Sequence, residues 1–88
     1  MTNEANYATR QFILRSLHRY PRGVSADMLR TLCRAAGMDL PLMGEGSIDA
    51  HLLYLQSGGL ITLRDHAHTA ALELWVLTAK GTDAVERA

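Results

Sequence analysis

The segment from Gly44 to Lys80 constrains the fold of this chain most, because it predicts a helix, a β-hairpin and the start of another helix in that order. The helix is indicated by apolar residues that lie four and three positions apart, namely Ile48, Leu52 and Leu55. This spacing places them on one side of an α-helix, where they face a core. We expect this helix to begin as early as Gly44.

A β-hairpin is predicted directly after this helix. Gly58 and Gly59 supply the left-handed backbone that commonly ends a helix. The segment Leu60–Arg64 opens with apolar and β-branched residues, which favour a strand. A second strand is predicted over Ala71–Leu77, with Leu72, Leu74 and Val76 on one side and Glu73, Trp75 and Leu77 on the other. Thr78 is then a suitable N-cap for a short final helix.

The first part of the chain predicts another helix and a short strand. This first helix extends from about Asn6 to Tyr20, and Pro21 ends it. Its apolar positions again recur at intervals of four and three, at Ile13, Leu17 and Tyr20. After the turn at Gly23, Val24 is predicted to form the short strand.

The second helix is predicted to start after the N-cap Ser25 and to end at Gly37. Its inner face comprises Leu29, Leu32, Cys33 and Ala36. The link that follows is long, and we expect its large apolar residues to pack, namely Leu40, Leu42 and Met43. One core is predicted, formed by Ile13, Leu17, Leu29, Leu32, Ile48, Leu52, Leu55 and Leu74.

The length of 88 residues predicts a single domain, 1–88, with a core large enough to fold without metal or disulfide bonds. Cys33 is the one cysteine and cannot form an internal disulfide. The N-terminus does not resemble a signal peptide, and no apolar run is long enough for a membrane span. We therefore expect a cytoplasmic protein. The sequence contains no enzyme motif, so we expect no catalytic residues, no cofactor and no small-molecule substrate.

Charge is balanced overall but not along the chain. Nine Lys and Arg residues stand against nine Asp and Glu residues. Residues 8–34 contain six arginines and one aspartate, whereas residues 35–88 contain three basic and seven acidic residues. The zero net charge lacks the basic excess that is typical of nucleic-acid binders, although the arginine-rich first part is compatible with phosphate contact.

Two motifs resemble a known superfamily. The pattern L-x-x-L-x-x-G-G-L-I-x-L covers Leu52–Leu63, and L-T-x-K-G covers Leu77–Gly81. Together with the front segment Phe12–Leu17 and the back segment Leu77–Asp83, the chain resembles small winged-helix proteins of Mu-like phages and prophages. The resemblance implies an α+β winged helix, with a three-helix bundle, a two- or three-stranded wing hairpin and a short C-terminal helix. It also implies double-stranded DNA binding by a phage-type transcriptional regulator or accessory factor.

The start of the third helix departs from the family pattern. Family members carry basic residues there, whereas this chain has Glu45, Ser47 and Asp49. If Ile48, Leu52 and Leu55 are buried, helical geometry turns another set outward, consisting of Gly46, Ala50, Leu53, Tyr54 and Ser57. This face lacks the Arg, Lys, Asn and Gln side chains that most often contact base edges, and it suits a protein contact better.

Five residues are candidates for contact with the DNA backbone, namely Arg30, Arg34, Arg64, His66 and His68. Arg30 and Arg34 lie four apart on the second helix, where they either hold phosphates or form a solvated face. His66 and His68 lie at the predicted wing tip, two positions apart. A metal site there is conceivable but has too few further ligands, so a polar wing tip or a phosphate contact is the preferred interpretation.

Aromatic residues offer a second kind of site. Tyr54 and Trp75 are open to a functional interpretation, as an interface anchor or a base-stacking platform, and for Tyr54 an ordinary surface position is equally compatible. Trp75 is more simply explained by packing between the hairpin and the helices, and Cys33 by burial in the core. Asp49 and His51 are two apart on one helix and do not face each other, so they do not form a catalytic pair.

The sequence thus supports two functional hypotheses. The first is a winged-helix DNA-binding protein whose contacts are mainly with the backbone, through the five residues given above. The alternative is a winged-helix interaction or dimerisation module that contacts a partner or a second copy through Ala50, Leu53, Tyr54 and Ser57. Zero net charge and the acidic third helix favour the alternative, and the family resemblance favours the first.

Overall fold

The protein is an α+β chain with four helices and three short strands within residues 3–64 and 73–88, which are the residues that this computed structural model describes. The elements follow in chain order as α1 (Asn3–Arg19), β1 (Val24–Ser25), α2 (Ala26–Ala35), α3 (Ile48–Ser57), β2 (Ile61–Leu63), β3 (Leu74–Leu77) and α4 (Ala79–Arg87). No helix among the described residues is long and apolar enough to cross a membrane.

Three helices begin at a hydroxyl cap. The side chain of Ser25 accepts the Met28 amide at the start of α2, and Thr78 accepts the Gly81 amide at the start of α4. Both caps confirm the sequence prediction. The third cap is Ser47, which accepts the Ala50 amide, so α3 begins three to four residues later than the earliest start expected. The residues from Gly44 to Ser47 form turns instead.

The strands form one antiparallel sheet in the order β1-β3-β2. In the hairpin, Ile61 pairs with Leu77 and Leu63 pairs with Trp75, and the amide of Arg64 donates to the Leu74 carbonyl at 2.7 Å. The pairing confirms the predicted hairpin as far as the structure describes it. The predicted positions Ala71 and Leu72 lie outside the described residues.

Three hydrogen bonds join the residues directly after α3 to the start of α4, and we call them the hairpin clamp. The Thr78 amide donates to the Leu60 carbonyl at 3.0 Å, and its hydroxyl donates to the Gly59 carbonyl at 2.6 Å. The Lys80 ammonium donates to the Gly58 carbonyl at 3.0 Å. The Leu60 amide donates to the Leu55 carbonyl and closes α3. The clamp thus links the two sequence motifs, Gly-Gly-Leu and Thr-x-Lys-Gly, directly.

The core lies where α1 meets α2, α3, α4 and β3. Its buried apolar residues are Ile13, Leu14, Leu17, Val24, Leu29, Cys33, Ile48, Leu52, Leu55, Ile61 and Trp75. Six of the eight predicted core residues are in this set, and Leu32 packs against it while half-buried. The eighth, Leu74, was placed wrongly. On β3 the buried side chain is its neighbour Trp75, which confirms that the Trp75 ring packs between the hairpin and the helices. Because side chains alternate along a strand, Leu74 then points to the other face of the sheet.

Four further predictions about packing were wrong. Tyr20 is 46% exposed, because α1 ends at Arg19 and the next residue leaves the helical phase. Ala36 follows the last helical residue of α2 and is likewise exposed. Leu42 and Met43 are 72% and 83% exposed in the bends before α3, so only Leu40 of the three link residues packs against the core.

Candidate interaction site on the third helix

The exposed side of α3 carries two large side chains. Leu53 is 61% exposed and Tyr54 is 58% exposed, while Ser57 is exposed and Ala50 is half-buried. The opposite side is held in the core by Ile48, Leu52 and Leu55. The outward orientation predicted for this face is therefore confirmed at three positions and partly at Ala50. It was wrong for Gly46, which is buried, because the helix begins after it and its backbone turns under the N-terminus.

Tyr54 is covered on one ring face by an arginine from α1. The guanidinium carbon of Arg10 lies 3.5 Å from the centroid of the Tyr54 ring, which is a close cation–π contact. The same guanidinium donates through Nε to Nδ1 of His51 at 3.2 Å. Arg10 therefore connects α1 to two residues of α3 and restricts the Tyr54 ring to one orientation.

His51 is the buried partner in this cluster, with 1% of its surface exposed. Because Nδ1 accepts from Arg10, the ring proton belongs on Nε2 in the neutral form, and Nε2 has no hydrogen-bond partner among the described residues. Burial lowers the pKa of His51 from its usual 6.5, and the Arg10 charge lowers it further, while the Gly46 backbone acts in the opposite direction. The geometry thus favours a neutral imidazole.

Sequence reasoning missed this cluster. Arg10 and His51 are 41 positions apart, and no local pattern connects them. The one available signal was that His51 falls beside Leu52 on the inner side of the helix, where an imidazole needs a polar partner.

The predicted phosphate contacts on α2 differ in their surroundings. Arg30 lies 2.6 Å from an Asp27 carboxylate oxygen and 3.9 Å from one of Asp49 on α3, so two carboxylates compensate its charge. Arg34 is exposed and has no carboxylate at ion-pair distance among the described residues. Both arginines line one cavity of about 260 Å³ beside the link to α3. Only Arg34 therefore offers a full positive charge there.

Arg64 lies at the far end of the hairpin's described part. Its guanidinium donates to the backbone carbonyl of Arg22 at 2.7 Å, which brings a second arginine to the same end of the sheet. His66 and His68 lie outside the described residues, as does the predicted wing tip. Within residues 3–64 and 73–88 no group of three His, Cys, Asp or Glu side chains is placed to hold a metal ion.

Cys33 is buried in the core on α2, as predicted. Burial raises the pKa of its thiol above the usual value of 9.0, which disfavours the nucleophilic thiolate.

Known proteins add no constraint on the site. Comparisons with protein-family models, with curated proteins and with solved structures gave no match. The assignment to the winged-helix proteins of Mu-like phages therefore stays a prediction from the sequence motifs.

Proposed function

We propose that this protein is a winged-helix domain that functions by binding protein through the exposed face of α3, and that its simplest partner is a second copy of itself. The element order supports the fold, since three helices are followed by an antiparallel hairpin and a short terminal helix. The two motifs that resemble Mu-like phage proteins lie at the α3–β2 junction and at the start of α4, which is compatible with this proposal. The exposure of Leu53 and Tyr54 is the observation on which the proposed protein binding depends.

Charge at the start of α3 argues against reading of bases by this helix. Asp49 lies in its first turn and is engaged with Arg30, so the nearest cation on α2 is compensated. Base edges in the major groove are contacted mainly by Arg, Lys, Asn and Gln. The exposed side of α3 supplies one of these, Gln56, beside the apolar and aromatic side chains of Leu53 and Tyr54. An aspartate at this position also repels phosphate.

The same face has the properties of a protein contact. Leu53 and Tyr54 adjoin each other on the surface, and large apolar and aromatic side chains dominate the energy of protein interfaces. The Arg10 stack holds the Tyr54 ring before any partner arrives, which reduces the entropy lost on binding. The small residues Ala50 and Ser57 flank the pair and allow another backbone to approach closely. A two-fold dimer needs only one such self-complementary patch.

Sedimentation velocity of the wild type and Leu53→Glu tests the proposal. We expect the wild type to dimerise as its concentration rises and Leu53→Glu to stay monomeric, because a buried carboxylate without a partner is strongly unfavourable. Ala84→Glu is the matched control, since it adds the same charge at an exposed position of α4. It should dimerise like the wild type.

Two results would contradict this proposal. A wild type that is monomeric at every accessible concentration excludes the second copy as partner. A dimer that Leu53→Glu leaves intact means that another surface carries the contact. Near-ultraviolet circular dichroism of each variant distinguishes loss of the interface from loss of the fold.

DNA binding is the second candidate, and one observation favours it. Arg34 on α2 and the Arg22–Arg64 pair at the sheet are exposed, and no described carboxylate lies at ion-pair distance from them. Such cations suit contacts to phosphates, which position a protein on a duplex without specifying sequence.

A further inference from the structure

An apolar groove lies on the side of the molecule where α2 meets the sheet. It has a volume of about 350 Å³, and its lining includes Tyr20, Val24, Met28, Leu32 and Leu74. Tyr20 and Met28 are 46% and 52% exposed, so two large apolar side chains at its rim face solvent. We call this feature the α2–sheet groove. It shares no lining residue with the exposed face of α3.

One wall of the groove is formed by backbone that lies close to β3. Gly23 lines it with a φ of +111°, and a methyl group at this position would lie 2.8 Å from Cβ of Leu74. The backbone therefore approaches β3 more closely than any side chain would allow.

Two arginines adjoin one end of the groove through their backbones. Arg22 directly precedes Gly23 in the chain, and Arg64 donates its amide to the carbonyl of Leu74, so both arginines adjoin lining residues. The Arg64 guanidinium donates to the Arg22 carbonyl at 2.7 Å, which fixes it at this end. Among the described residues, no carboxylate lies at ion-pair distance from either guanidinium.

We infer that the α2–sheet groove binds a short segment of a partner protein in which apolar side chains are followed by a carboxylate. The apolar side chains enter beside Met28 and Leu32, and the carboxylate meets the Arg22–Arg64 pair. This partner follows from charge complementarity, because an apolar groove beside cations disfavours a basic segment and leaves the cations without a partner when the segment is purely apolar. A peptide fits better than a nucleic acid, since the lining offers apolar surface where a strand would need a row of cations.

Selection from a random peptide display library tests the inference. The wild type should enrich peptides with two apolar residues close to an Asp or Glu. Met28→Arg should enrich none of them, because it fills the groove from an exposed position on α2 and adds a charge. Peptides enriched equally by both proteins, enriched peptides without acidic residues, or no enrichment at all would overturn the inference.

Two further variants separate the groove from other surfaces. Arg22→Gln removes the charge but keeps the backbone carbonyl that accepts from Arg64. It should lower the affinity for an enriched, fluorescently labelled peptide by up to about fivefold, which is the effect of one exposed ion pair. The Leu53→Glu variant should bind that peptide with unchanged affinity. A wrong proposal about the α3 interface can therefore be distinguished from a wrong inference about the groove. If dimerisation displaces the peptide from the wild type and Leu53→Glu abolishes that displacement, the peptide binds at α3. This result would overturn the inference.

Discussion

His51 is the residue whose environment differs most from what its position in the sequence indicates. It lies on the inner side of α3 with 1% exposure, and its ring accepts a hydrogen bond from the Arg10 guanidinium. The arrangement requires the neutral ring, because a protonated Nδ1 has no lone pair to accept the Arg10 Nε–H. The state of this imidazole therefore affects the contact that holds Tyr54 in place.

The pH dependence of stability should reflect this histidine. Burial lowers the pKa of folded His51 below its usual 6.5, so the unfolded chain binds the proton more readily. Stability is then full above the unfolded pKa and decreases as the pH falls below it. We expect the melting temperature to fall from about pH 7 to about pH 5 and His51→Gln to flatten that decrease. Differential scanning fluorimetry of both proteins across this pH range provides the measurement, and equal slopes would contradict the role of His51.

Leu52 tests the helical phase of α3. The residue is 2% exposed within the core, and its truncation leaves a cavity. Leu52→Ala should lower the free energy of unfolding by ~2–5 kcal/mol in urea denaturation. Leu42→Ala, at a position that is 72% exposed, should change it by less than about 0.5 kcal/mol. Equal effects of the two substitutions would contradict the burial of this side of α3.

At the scale of elements, caps and helix ends were the most predictable features, because each depends on one or two adjacent residues. Ser25 and Thr78 cap their helices where the sequence placed them. The helix α3 ends at the Gly58–Gly59 pair as predicted, but the left-handed backbone occurs at Gly59 and not at Gly58. The link before α3 was predicted badly, since apolar composition alone does not decide burial in a connection that runs over the surface. Trp75 replaced Leu74 in the core because a strand with apolar residues on both sides has no pattern that selects its inner face.

Gly81 shows why the Thr-x-Lys-Gly motif ends in glycine. The residue is buried in the first turn of α4, and a methyl group there would overlap the Leu60 carbonyl oxygen. Alanine is the better helix former by roughly 0.5–1 kcal/mol, but this overlap forces α4 away from the hairpin. Gly81→Ala should therefore destabilise the protein by ~1–3 kcal/mol or more in urea denaturation. A stabilised Gly81→Ala protein would show that α4 does not pack closely on Leu60.

At the scale of the whole molecule, the arginines with and without a neighbouring carboxylate predict how the protein would bind DNA. Any binding should be weak, indifferent to sequence and salt-dependent, because few arginines are available for phosphates. Arg34→Gln should reduce the slope of log affinity against log salt by about 0.9, as for one lost phosphate contact. Arg30→Gln should change it less, because Asp27 and Asp49 already compensate that charge.

Fluorescence anisotropy with two unrelated labelled duplexes at several salt concentrations provides the measurement. Tight binding to one duplex with a shallow salt slope would mean that a surface other than these arginines contacts bases. Equal slopes for the Arg30 and Arg34 variants would contradict the difference in compensation.

The hairpin clamp bears on how such a domain diversifies. It joins the Thr78 hydroxyl to the Gly59 carbonyl, 19 positions away, and so fixes both strands of the hairpin at their base. Because this bond joins residues outside 65–72, changes of length between residues 64 and 73 should leave the base of the hairpin in place. Substitutions and insertions in that stretch are therefore expected to leave intact the core that supports the hairpin.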